Sequence, residues 1–89
     1  IIQSVARHYG LKQKDILSKS RKQHLVQARQ LAMYLVHKYT GISYVQIGRR
    51  FGGRDHSTVL HACNQVSLRI SMEKDFRHEV EALEIALKK

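Results

Sequence analysis

Gly52-Gly53-Arg54-Asp55-His56-Ser57-Thr58-Val59-Leu60-His61-Ala62 reads as a tight turn that launches a helix. Two adjacent glycines reach backbone conformations closed to other residues, and the polar residues behind them fall where a helix exposes its free N–H groups. A helix mouth of this kind suits an anion. A Gly-Gly turn with a polar N-cap also starts ordinary helices, so the choice between the two rests on what surrounds the stretch.

Directly upstream, Ser43-Tyr44-Val45-Gln46 matches a capping box, with Ile42 and Ile47 at the two places of a hydrophobic staple. The pattern predicts a short helix with Ile47 and Phe51 inward and Arg49 and Arg50 outward. Gly48 leaves room for close contact with a neighbouring helix. Downstream, Val59, Ala62, Cys63, Val66 and Ile70 form the inward face of a second helix. Two helices joined by a Gly-containing turn, with polar residues opening the second, satisfy a helix-turn-helix. Its second helix is placed to enter a major groove, and its basic first helix to lie across the backbone.

Further out, residues 24–39 keep a three-four apolar rhythm through Leu25, Ala28, Leu31, Ala32, Leu35, Val36 and Tyr39, which makes this helix the central beam. Arg29, Gln30 and Lys38 fall off the main stripe and are free to face a ligand or water, and Gly41 stops the helix. Residues 1–9 and 11–17 supply two short helices, the first ended by Gly10. Phe76, Val80, Leu83 and Leu87 mark a last one, with Glu79, Glu81 and Glu84 on its remaining surface. Residues 18–23 have no apolar side chain and carry Lys19, Arg21 and Lys22. They read either as a solvated linker or as a flexible basic arm, whose arginine suits the negative potential of a narrow minor groove. The expected fold is all-α, a compact bundle of about six helices containing a Trp-repressor-like helix-turn-helix.

Eighty-nine residues support one domain with one small core. The net charge of +9 is not evenly spread. Residues 1–58 hold eleven Lys/Arg against Asp15 and Asp55, whereas residues 59–89 hold five against Glu73, Asp75, Glu79, Glu81 and Glu84. An excess confined to one part of the chain attracts a polyanion, with nucleic acid the leading candidate and an anionic membrane surface or an acidic protein the rival. No apolar run approaches the roughly 20 residues that span a bilayer, and no signal-peptide pattern opens the chain. A cytoplasmic, nucleoid-associated protein is the expectation. The lone Cys63 reads as a small buried hydrophobe. With no initiator Met, the chain reads as a piece of a longer protein.

At the helix mouth, Asp55 can accept from a cytosine amino group, His56 and the Thr58 methyl can pack on thymine methyls, and Ser57 and Arg54 can hold phosphates. Each also has a plain structural use, Asp55 as an N-cap above all. Enzyme readings fail on geometry. Six histidines invite a zinc site, but His56 and His61 miss the i,i+4 face and there is no Cys pair. Asp55, His56 and Ser57 are consecutive on one helix and diverge, so they cannot align as a triad. No phosphate-loop pattern is present. The chain is expected to be neither an enzyme nor a metal protein.

Phe51 to Ala62, read as one string, resembles the signature of the C-terminal DNA-binding domain (domain IV) of the DnaA family of bacterial replication initiators. The likeness extends to Asp15-Ile16-Leu17-Ser18 and to Ala28-Arg29-Gln30-Leu31-Ala32-Met33-Tyr34-Leu35. It implies binding of double-stranded DNA at asymmetric DnaA boxes of the TTATCCACA type in the replication origin. By the same resemblance, Asp55, His56 and Thr58 would read bases in the major groove, Val45 would approach a thymine methyl, and Arg21 would enter the minor groove. Arg29, Gln30, Lys38, Arg54 and Ser57 would hold phosphates. The family's ATP-binding domain would precede Ile1, so no cofactor is implied within these residues. Protein regulators and acidic phospholipid would be partners of the parent protein, and the isolated domain would be monomeric. Ser57 stands where the family commonly has Thr, Val45 where Pro is frequent, and His37, Asn64 and Gln65 where basic residues are frequent. A helix-turn-helix alone also fits a transcriptional regulator.

Overall fold

The computed structural model describes residues 1–88, which form six helices: α1 (Ile2–His8), α2 (Gln13–Leu17), α3 (Gln23–Thr40), α4 (Tyr44–Arg50), α5 (His56–Met72) and α6 (Lys74–Leu87). No strand occurs among the described residues. Long α3 is packed by α1, α2, α4 and α5, and α6 closes the bundle against α5 and α1. Beam and core agree with the apolar rhythm. Ala28, Leu31, Ala32 and Leu35 on α3, Ile47 on α4 and Val59 on α5 are wholly shielded from solvent, and Cys63 is buried beside them.

The turn between α4 and α5 depends on glycine twice over. Gly52 and Gly53 hold φ angles of 85° and 75°, a left-handed region in which other residues lose about 1–2 kcal/mol. Phe51, one residue before, points inward with no exposed surface. Gly48 has a different reason. A Cβ there would lie 2.1 Å from the carbonyl oxygen of Arg54, and the Arg54 N–H donates to the Gly48 carbonyl at 2.8 Å. Backbone rests directly on backbone.

Helix starts follow local chemistry. Ser43 caps α4, its Oγ accepting from the Gln46 N–H at 3.2 Å. Asp55 caps α5 in the same manner, from an extended backbone at φ −66° and ψ 147°. The Lys12 N–H donates to Asp15 Oδ2 at 3.2 Å at the head of α2.

The structure corrects the sequence reading at several places. Arg29 is not free on the outer face of α3. It is 6% exposed, because α2 and the loop behind it lie over that face, and Met33 is buried too. Tyr39 is a surface residue rather than core, with its hydroxyl on Glu84 of α6. Glu84 and Glu79 are half-buried, the first bonded to Lys38 and the second to His8. Loop 18–22 is also less free than a flexible arm. The Ser18 hydroxyl donates to the Asp15 carbonyl, and Ser18 and Ser20 hydroxyls accept from the N–H groups of Ser20 and Lys22.

The Gly48 contact yields a direct expectation. Gly48→Ala forces a methyl onto a backbone oxygen that cannot rotate away, so the chain should lose at least about 2 kcal/mol of stability in urea unfolding. A change under about 0.5 kcal/mol would show that the turn has slack.

Candidate nucleic-acid interface

At the mouth of α5, directly behind the glycine turn, four consecutive polar side chains stand exposed. Asp55 Oδ2 accepts from the Ser57 N–H at 3.1 Å and leaves Oδ1 open, 3.5 Å from His56 Nδ1. Asp55 and His56 side chains are 66% and 60% exposed, and Ser57 and Thr58 are exposed beside them. The Ser57 hydrogen bonds hold the Asp55 carboxyl below its ordinary range, so it stays an anionic acceptor. Capping occupies one oxygen only; the other is available to a donor from outside.

Val45 is exposed on the first turn of α4, and Arg49 and Arg50 are exposed at its end. One turn past the mouth, Leu60 and His61 also face out on α5. They belong to the same face, a position the i,i+4 spacing from His56 and Ser57 already encodes. Arg21 is exposed on loop 18–22.

Other candidates stand differently. Arg54 is half-buried; its Nη2 donates to the Ser18 carbonyl at 2.5 Å, and its Nε is buried without a partner. Arg29 donates through Nε to the Ile16 carbonyl at 2.8 Å and through Nη2 to the carbonyls of Ser18 at 2.7 Å and Ser20 at 3.1 Å. Burial, and secondarily the Arg54 charge, lower its pKa. Lys38 is not the unengaged cation its off-stripe position suggested. Its Nζ lies 2.6 Å from Glu84 Oε2, a hydrogen bond that raises the Lys38 pKa. Gln30 lines a separate groove of about 390 Å³ with Gln65, Arg69 and Phe76, between α3, α5 and α6.

The structure thus brings Asp55, His56, Ser57 and Thr58 to one mouth and ties the loop bearing Arg21 to the turn bearing Arg54. Arg29 and Lys38 are drawn into internal contacts. No described helix is long and apolar enough to cross a membrane. A long helix entered by a glycine turn, a short basic helix before it and an adjacent basic loop define a helix-turn-helix domain.

Comparison with known proteins narrows the class. A family described as "Bacterial dnaA protein helix-turn-helix" matches residues 1–66, and the chain belongs to it. The chain is 46% identical over 89 residues to the chromosomal replication initiator protein DnaA of Bacteroides thetaiotaomicron, covering all of this chain and 19% of that protein. It is 48% identical over 79 residues to the DnaA of Rhizobium johnstonii, covering 89% of this chain and 16% of the relative. A crystal structure of a DNA replication initiation factor superposes with a TM-score of 0.84 at 38% identity, over 96% of this chain and 26% of the other. The chain therefore spans less than a fifth of the length of these curated relatives.

Asp55 can be separated into cap and reader. Asn caps a helix about as well as Asp, so Asp55→Asn should change stability at neutral pH by less than about 0.5 kcal/mol. Because folding lowers the Asp55 pKa, its stabilisation is present above the ordinary carboxylate range and lost as pH falls through the folded value. Acid titration of unfolding should therefore be shallower for Asp55→Asn below about pH 4. An unchanged acid limb would contradict the cap.

Proposed function

We propose that this domain binds double-stranded DNA sequence-specifically at DnaA-type boxes, and so places its parent protein at a replication origin. Asp55, His56 and Thr58 read base edges in the major groove, with Val45 against a thymine methyl. Arg21 enters the adjacent minor groove. Ser57 and Gln30 hold phosphates, joined by the exposed Arg49 and Arg50. Arg29, Lys38 and Arg54 are assigned to the fold instead, since their cations already have internal partners.

The observation that carries this reading is the α5 mouth. Its side chains face out unburied, and the Asp55 cap leaves one carboxylate oxygen open. The charge layout supports it: the basic residues of α4 and loop 18–22 cluster in the chain segment that bears the excess, while Glu84 and Glu79 on α6 are answered by Lys38 and His8. In this reading α6 packs the bundle and stays off the phosphates. ATP binding and origin opening are assigned to the parent protein's other parts.

Titration of a labelled box and a scrambled duplex at two salt concentrations tests it. Arg21→Ala and Asp55→Ala should each narrow the gap between box and scramble by at least about fivefold, the worth of a good base contact. With Arg21, Arg49 and Arg50 as the cations set against the DNA, about three charges, the log–log salt slope should be roughly −3. Equal affinity for both duplexes would overturn the proposal. So would tighter binding to anionic vesicles that persists after substitutions at Asp55 and Arg49.

A further inference from the structure

Two arginines from distant parts of the chain meet on one backbone carbonyl. Arg29 Nη2, from α3, and Arg54 Nη2, from the helix-turn-helix turn, donate to the Ser18 carbonyl at 2.7 and 2.5 Å. Arg29 spans the same segment in both directions, reaching the carbonyls of Ile16 and Ser20 at 2.8 and 3.1 Å. The turn touches this segment a second time, since a Cβ on Gly52 would lie 3.4 Å from the Leu17 carbonyl oxygen. The Ser18 and Ser20 hydroxyls then hold the N–H groups of Ser20 and Lys22, the residues on either side of Arg21.

Bringing two guanidinium groups together is unfavourable unless something between them accepts. Here the acceptors are main-chain carbonyls, which cannot be swapped for other groups by mutation and which move only when the loop moves. The contact therefore reports loop position, not side-chain identity. The Arg54 backbone is itself fixed against Gly48, so the chain of contacts runs without a free joint from α4 and α5 to the basic loop.

We infer that Arg29 and Arg54 are positioning residues that set the spacing between the minor-groove arm and the major-groove helix by clamping the Ser18 carbonyl. This rests on the DNA-binding reading above and adds to it a specificity device. Arg21 is exposed and makes no internal hydrogen bond among the described residues, so its aim depends on the loop backbone beneath it. Loosening the clamp leaves every reading side chain in place and removes their common register. The two grooves are then read independently, and the entropy of ordering the loop falls on the binding step.

A double-mutant cycle tests this on the 89-residue chain. Arg29→Lys keeps the charge and removes the multiple carbonyl bonds. It should weaken binding to the box by at least about fivefold while leaving the scramble and the salt slope within about twofold. In an Arg21→Ala background the same substitution should cost less than about twofold, because the arm it aims is gone. Equal factors in both backgrounds, or equal losses on both duplexes, would overturn the clamp. Should Arg29→Lys lose helical circular dichroism, Arg54→Lys carries the same comparison, as its side chain is only half-buried. If Arg21→Ala discriminates less yet the cycle is additive, the clamp fails and the groove reading stands. If Arg21→Ala leaves discrimination unchanged, minor-groove reading itself fails and takes the clamp with it.

Discussion

The carbonyl oxygen of Arg54 lies 2.1 Å from where the first atom of a side chain at position 48 would be. That absence of space makes one object of α4, the turn and α5. The Arg54 N–H closes the contact by bonding back to Gly48, and the turn must then reverse within Gly52 and Gly53, both at positive φ. Phe51 and Val59, on either side, are driven fully inward. With those two fixed, the polar residues between Arg54 and Val59 have only solvent to face. The outward mouth of α5 is thus a consequence of packing behind it.

Burying Arg29 is costly, and the fold meets that cost with carbonyls rather than with a carboxylate. Three main-chain oxygens along residues 16–20 satisfy it, and Ser18 serves Arg54 as well. An acidic partner would neutralise the charge; dipoles bind the guanidinium and leave its positive field near the basic loop. Where α6 meets α3, acids are used. Glu84 gathers Lys38 and the Tyr39 hydroxyl, and although its burial alone favours the neutral form, these bonds bring its carboxyl below the ordinary range. Acids of α6 are thereby answered by Lys38 and His8, while Arg49, Arg50 and Arg21 around the helix-turn-helix stay exposed.

Features set by near neighbours were legible in the sequence. The N-caps Ser43 and Asp55, the positive-φ glycines and the stripes of α3, α5 and α6 all depend on residues within a turn or two. The outward orientation of Asp55, His56 and Thr58 followed from the same local periodicity. Contacts closed over long separations were not legible. Lys38 and Glu84 are 46 residues apart, and Arg54 and Ser18 are 36 apart. Arg29 failed for a related reason: a polar residue off the main stripe looks solvated until it is known that a second helix covers that side. Tyr39 erred the other way, its ring placed on the stripe but its hydroxyl drawn to an acid at the rim of the bundle.

Backbone amide chemical shifts during titration with a box duplex test the central claim, that the α5 mouth and the loop clamped beside it together form the face that meets DNA. The account predicts the largest changes at residues 19–22, 44–46 and 53–61, saturating together, with α6 residues 76–87 little moved. Changes centred on α6 or on the groove around Gln65 and Phe76, with the α5 mouth unperturbed, would contradict it.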